Sequence, residues 1–297
     1  SACRVGSEMC IRDRYIGTST SCIEKVQNNT FTNWSGGAGT IIPIYFGYGQ
    51  IGSEISGNTI NTITGAALIT GINIVTIASN GLSVFNNTIH TLTTTGAFAV
   101  TGISHTAGLL STIYKNKIYN LNANNAGATA IGLSVTGGTS ATLYNNLIGD
   151  LKSTNSSGTN QLIGINITGG TTVNAYYNTV RLNATSTGAI FGSSAISVNA
   201  TPTTVNLRNN IFINTSTANT TGLTVAYRRA STSLGNYAST IFGRTVSENE
   251  TIFKVDLDGD HHIGIPPITI LENNGDYDLA NGNDNYYIIK LDFFFLL

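Results

Sequence analysis

The sequence predicts an all-β solenoid, a chain wound into about seven turns of roughly 30 residues. Three observations predict it. One short phrase recurs at a near-constant spacing. Apolar residues alternate with a period of two inside each phrase, which is the period of a strand. No stretch carries the 3.6-residue periodicity of a helix.

The recurring phrase reads apolar, any, any, Asn, any, apolar. Its Asn falls at Asn29, Asn58, Asn87, Asn116, Asn146, Asn178 and Asn209, in steps of 29, 29, 29, 30, 32 and 31 residues. Three positions earlier stand Val26, Ile55, Val84, Ile113, Leu143 and Ala175, while the seventh copy shifts by one to Leu207. Two positions later stand Phe31, Ile60, Ile89, Ile118, Ile148, Val180 and Ile211. A second phrase lies between these anchors: small, apolar, any, apolar. It is seen in Gly71-Ile-Asn-Ile74, Gly132-Leu-Ser-Val135, Gly164-Ile-Asn-Ile167, Ala195-Ile-Ser-Val198 and Gly222-Leu-Thr-Val225. Clusters such as Thr136-Gly-Gly-Thr139 punctuate the strands as turns.

Each repeat is then one solenoid turn, and equivalent positions stack about 4.8 Å apart. The Asn column faces inward and forms a ladder in which each side-chain amide finds partners above and below. It also bends the chain between two strands. Ala226-Tyr-Arg-Arg-Ala230 leads out of the solenoid.

At these residues the chain resembles the right-handed parallel β-helix family, the pectate-lyase-like superfamily. Val84-Phe-Asn-Asn-Thr-Ile89 and Leu207-Arg-Asn-Asn-Ile211 carry the likeness, which covers about residues 22–226. It implies a right-handed parallel β-helix of the bacterial secreted or cell-surface type. It implies little about activity, because this fold hosts lyases, hydrolases and adhesins alike.

Three segments differ in style. Residues 1–14 carry five charges and two of the three cysteines. Val5-Gly-Ser-Glu-Met-Cys-Ile-Arg-Asp-Arg14 resembles a translated sequencing adapter, so it is set aside from fold reasoning. Residues 15–244 form the predicted β-helix. Residues 245–297 hold ten of the fifteen acids and read as an acidic, irregular C-terminal segment. With Cys3 and Cys10 set aside, Cys22 alone defines no disulfide framework.

Composition bounds the function. Only 10% of residues are charged and the net charge is -1, against about 25% charged in ordinary globular chains. A basic nucleic-acid surface is excluded, and no run reaches the roughly 18 apolar residues of a membrane span. Between residues 15 and 244 the only carboxylates are Glu24, Glu54 and Asp150. Glycoside hydrolysis needs two carboxyl groups within about 10 Å. Glu54 and Asp150 lie three to four turns apart, which exceeds that reach. The usual two-carboxylate chemistry is therefore not expected in this body, while a lyase with an Arg or Lys base stays open: Arg181, Arg208, Arg228 and Arg229 offer positive charge, with no charged cluster beside them. The alternative is a fragment of a polysaccharide lyase or hydrolase whose catalytic residues lie elsewhere. His90 and His105 show no Cys, Ser or Asp partner and read as surface residues.

The candidate site is an aromatic column. Two positions before each Asn, the chain places Gln27, Ser56, Phe85, Tyr114, Tyr144 and Tyr176 on the outer face. Tyr177, Tyr119 and His90 lie nearby. Phe85, Tyr114, Tyr144 and Tyr176, flanked by Asn and Thr, suit contact with the rings of a polysaccharide or cell-surface glycan. The competing role is cross-strand stacking that stabilises the sheet. A secreted or surface module for adhesion or glycan contact is the expected function, with a structural stalk as a further alternative. An ice-binding face is disfavoured, because the outward Thr column one position after each Asn breaks at Lys117 and Leu147. In the C-terminal segment, Asp256, Asp258 and Asp260 have the alternate spacing of a Ca²⁺ loop. His261 stands where such loops usually carry Gly.

Overall fold

The structure is a computed structural model. It describes residues 23–47, 51–75, 80–199 and 201–229, and the backbone of further strands between residues 236 and 296. The chain divides into two units, Ser1–Phe242 and Gly243–Leu297.

The first unit is a parallel β-solenoid of three sheets. The first sheet stacks Lys25–Gln27, Glu54–Ser56, Asn80–Phe85, Leu110–Tyr114, Ser140–Tyr144, Thr172–Tyr176, Thr204–Arg208 and Asn236–Ala238. The second stacks Thr30–Ser35, Thr59–Gly65, Thr88–Thr94, Lys117–Ala123, Leu147–Gly149, Thr179–Leu182, Ile211–Asn214 and Ile241–Gly243. The third runs from Ile44–Phe46 through Ile69–Ile74, Val100–His105, Ala130–Val135, Gly158–Ile167 and Phe191–Val198 to Thr224–Arg229. Among the described residues there is no helix, and so none long and apolar enough to cross a membrane.

The expected Asn ladder is present, with one correction. Asn29, Asn58, Asn87, Asn116, Asn146 and Asn178 stack as read from the sequence, but the seventh rung is Asn210, not Asn209. With Asn210 as anchor, Leu207 stands three positions before it and Phe212 two after, so the apparent shift of the last repeat disappears. Asn209 does a different job. The residue before every ladder Asn adopts positive φ: Asn28 56°, Gly57 65°, Asn86 55°, Lys115 54°, Asn145 54°, Tyr177 57° and Asn209 54°. This left-handed residue makes the corner between the first and second sheets, where Asn and Gly are least strained.

The corner costs no backbone hydrogen bond. The N–H of Asn86 donates to the carbonyl of Tyr114 one turn on, that of Lys115 to Tyr144, and that of Asn145 to Tyr176. Inside the corner each ladder amide from Asn58 to Asn178 is saturated. Asn116 Nδ2 donates to Asn146 Oδ1 at 3.0 Å and to the Val84 carbonyl at 3.0 Å, and Asn116 Oδ1 accepts from the N–H and Nδ2 of Asn87. A buried amide is tolerable only on such terms.

Around the ladder runs an apolar core in columns. Ile55, Val84, Ile113, Leu143, Ala175 and Leu207 form one column, and Ile60, Ile89, Ile118, Ile148, Val180 and Phe212 another, all fully buried. The third sheet faces them across small residues. A Cβ built on Gly132 would come within 2.5 Å of Ile148 Cγ2 and 2.6 Å of the Gly164 carbonyl. Gly102 and Gly164 are equally confined, so a small residue is demanded at this position by contact between turns. The last copy of this phrase is also corrected. Tyr227 pairs with Ile196, which makes Ala226 the small residue of that turn. Ala226-Tyr-Arg-Arg229 is therefore the end of a core-forming strand rather than an exit. Gly222 instead closes a turn, its N–H bonded to the Asn219 carbonyl at 2.9 Å.

The second unit carries four antiparallel strands, Thr269–Asn273, Tyr277–Gly282, Asn285–Lys290 and Phe293–Leu296, paired in sequence order. They lie within the segment expected to be irregular.

Candidate functional site

The outer face of the first sheet gathers the aromatic column. Parallel register places Ser56, Phe85, Tyr114, Tyr144, Tyr176 and Arg208 on successive turns, with inward Ile55, Val84, Ile113, Leu143, Ala175 and Leu207 alternating beside them. The rings do not stand apart. Phe85 and Tyr114 stack at 4.9 Å between centroids and 10° between planes, and Tyr114 and Tyr144 at 4.6 Å and 7°. The strand spacing of about 4.8 Å sets these distances. Both faces of Tyr114 are thereby covered, and its ring presents only edges and hydroxyl to solvent. Its pKa is raised, first by burial and then by the neighbouring Tyr144 and Glu54.

Tyr176 differs from the three below it. It pairs in register with Tyr144 but makes no ring contact among the described residues. Its other neighbour in the column is Arg208, which is exposed. Tyr177, turned out at the corner by its positive φ, is 58% exposed. Among the four aromatics of the column, Tyr176 is thus the one outside the ring stack, with exposed Tyr177 beside it.

A polar column runs parallel to the rings: Glu54, Ser83, Thr112, Thr142, Asn174 and Asn206. Asn206 Nδ2 donates to Asn174 Oδ1 at 2.7 Å, and Asn174 Nδ2 to Thr142 Oγ1 at 3.4 Å. At the opposite end Glu54 is occupied by Gln27 Nε2 at 2.6 Å and Lys25 Nζ at 3.5 Å.

The second sheet adds a smaller stack. His90 and Tyr119 lie 4.8 Å apart with planes 5° from parallel. The outward column one position after each ladder Asn reads Thr30, Thr59, Thr88, Lys117, Leu147, Thr179 and Ile211. The break at Lys117 and Leu147 stands, and the Asn210 register ends the column at Ile211.

His105 is not a surface residue. It occupies the core column of Ile74 and Val135, is fully buried, and its Nε2 lies 2.9 Å from Ser111 Oγ. Burial pushes its pKa from 6.5 down to about 4, against the raising effect of the Gly137 backbone. Ser111 is itself buried, so the pair is a core contact rather than an exposed nucleophile and base. The one signal in the sequence was His105 standing where the small-apolar-any-apolar phrase demands an apolar residue.

Glu54 and Asp150 belong to the second and fifth turns, about 14 Å apart along the stack. Asp150 is engaged by Lys152 at 3.4 Å. Arg228 is fixed by Ser194 Oγ at 2.9 Å and the carbonyls of Thr159 and Leu223 at 3.1 Å. Asp256, Asp258 and Asp260 lie outside the described residues, among which no group of three His, Cys, Asp or Glu side chains converges on a metal-sized site.

Comparison with known proteins finds no matching family model, no similar curated protein and no similar solved structure. The assignment therefore rests on the chain's own register: it is an all-β protein built on a parallel β-solenoid of about seven turns.

Proposed function

We propose that this chain is a non-catalytic module of a secreted or cell-surface protein, of the pectate-lyase-like kind in bacteria, used for adhesion or glycan contact. The observation that supports it is the pairing of two columns on one outer face. Amide and hydroxyl groups of Thr142, Asn174 and Asn206 run beside Tyr176, the one ring of the four outside the stack. A sugar ring offers an apolar face and a rim of hydroxyls, and needs both kinds of partner.

The stack divides the four candidate aromatics. Phe85, Tyr114 and Tyr144 spend ring faces on one another, whereas Tyr176 retains its own. A structural stalk is the second reading, favoured by those covered faces. Binding of the full chain to an immobilised glycan array tests the first reading. Tyr176→Ala is expected to weaken any captured glycan at least 10-fold with little change in melting temperature. An unchanged affinity in Tyr176→Ala, or no captured glycan at all, overturns glycan contact on this face.

A further inference from the structure

The outer column of the second sheet contains a missing rung. Three positions after each ladder Asn it reads Asn61, His90, Tyr119, Gly149 and Arg181. His90 covers one face of Tyr119. On the other side the next rung is Gly149, which has no side chain to cover the second face. A Cβ built on Gly149 would meet only the Arg181 carbonyl, at 3.4 Å, so no side chain crowds that position. Arg181, one rung further, is exposed. Tyr119 and Arg181 thus stand two strand spacings apart, about 9.6 Å, with glycine as the floor between them.

We propose that this slot is a binding subsite for a single sugar ring carrying an anionic group, carboxylate or sulfate. The gap has the depth of one ring, because its neighbours His90 and Tyr119 fill consecutive rungs at 4.8 Å. The ring's apolar face lies on Tyr119, in the position a side chain at residue 149 would take. Leu147, 51% exposed on the same strand, extends the apolar floor. The Arg181 guanidinium supplies paired donors for the anion. Exposed Lys117, on the Tyr119 strand, adds a second cation. The nearest acid, Asp150, is already paired with Lys152 at 3.4 Å. The excess of positive charge around the slot is what selects an anionic ring over a neutral one.

This inference rests on the glycan reading but on a different face, so the two are separable. The probes are a carboxylated, a sulfated and a neutral oligosaccharide of equal length, titrated calorimetrically against the full chain. The Gly149 backbone is outside the left-handed region, so Gly149→Phe places a ring at this rung without backbone strain. It is expected to lower affinity for at least one anionic probe 10-fold or more while the melting temperature holds or rises. Arg181→Gln is expected to reduce that affinity and leave any neutral binding unchanged. Whether the carboxylated or the sulfated probe binds better identifies the anion. Unchanged anionic affinity in Gly149→Phe, or equal affinity for the neutral probe, overturns the subsite. If Tyr176→Ala weakens binding and Gly149→Phe does not, the subsite fails and the first-sheet reading stands. If no probe binds, the subsite fails too, and the array result decides the first-sheet reading separately.

Discussion

Asn87 is tied to Asn116 twice: its side-chain Nδ2 donates to Asn116 Oδ1 at 2.9 Å, and its backbone N–H donates to the same oxygen at 3.1 Å. One oxygen thus closes both the side-chain ladder and the corner backbone. Asn116→Ala removes four hydrogen bonds and strands the buried N–H groups of Asn87, while Asn146 Oδ1 keeps only the backbone N–H of residue 116. Partly satisfied buried amides cost more than lost bonds alone. The expected loss is about 3–5 kcal/mol in denaturant unfolding. Asn116→Asp is expected to be no better, because a carboxylate cannot donate to Val84 or Asn146.

Lys115 and Tyr177 hold the corner with side chains poorly suited to it. Their φ values of 54° and 57° match those of Asn86 and Asn209, yet neither residue favours the left-handed region. Lys115→Asn or Lys115→Gly is expected to raise stability by about 1 kcal/mol. Lys115→Val is expected to lower it. Melting temperatures of the three variants check the sign.

His105 makes the solenoid sensitive to acid. The unfolded side chain takes up a proton near pH 6.5, whereas the folded one stays neutral down to about pH 4. Between these values the unfolded state binds more protons, so stability falls as pH drops and levels off below about 4. The shift corresponds to about 3 kcal/mol across that window. His105→Val, which matches Val135 in the same column, is expected to flatten the curve between pH 6.5 and 4. An equally steep decline in the variant would place the sensitivity elsewhere.

Gly132 is held by contact between turns rather than by its φ. Gly132→Ala drives a methyl into Ile148 and the Gly164 carbonyl. The expected cost is about 1–3 kcal/mol. The paired change Gly132→Ala with Ile148→Ala is expected to cost less than the sum of the two single changes, since alanine at 148 lacks the Cγ2 that the new methyl meets. Unfolding curves of the single and double variants test this coupling.

Much of the fold was legible because the solenoid repeats its constraints. The inward Asn, its apolar neighbours and the small residue of the third sheet each recur once per turn. The exceptions are positions where local pattern is ambiguous. Asn209 and Asn210 are chemically the same, and only the stacking on Asn178 decides which one enters the ladder. The doublets Asn28-Asn29, Asn86-Asn87 and Asn145-Asn146 held the rule: the second Asn is the rung and the first makes the corner. Gly222 matched the third-sheet phrase in type, but a turn used it.

By itself the sequence determined the period, the strand content, the inward columns and the scarcity of carboxylates in the solenoid body. These follow from residue order, because a parallel stack maps one repeat onto the next. Tertiary structure decided which faces of the aromatics remain open. Phe85 and Tyr144 stack on the two faces of Tyr114, whereas Tyr176, one turn beyond Tyr144, joins no stack. It also decided that His105 is core, and that Gly149, with no side chain, is the rung beside Tyr119. Each of these depends on what the adjacent turns place against a residue, and no single repeat contains that information.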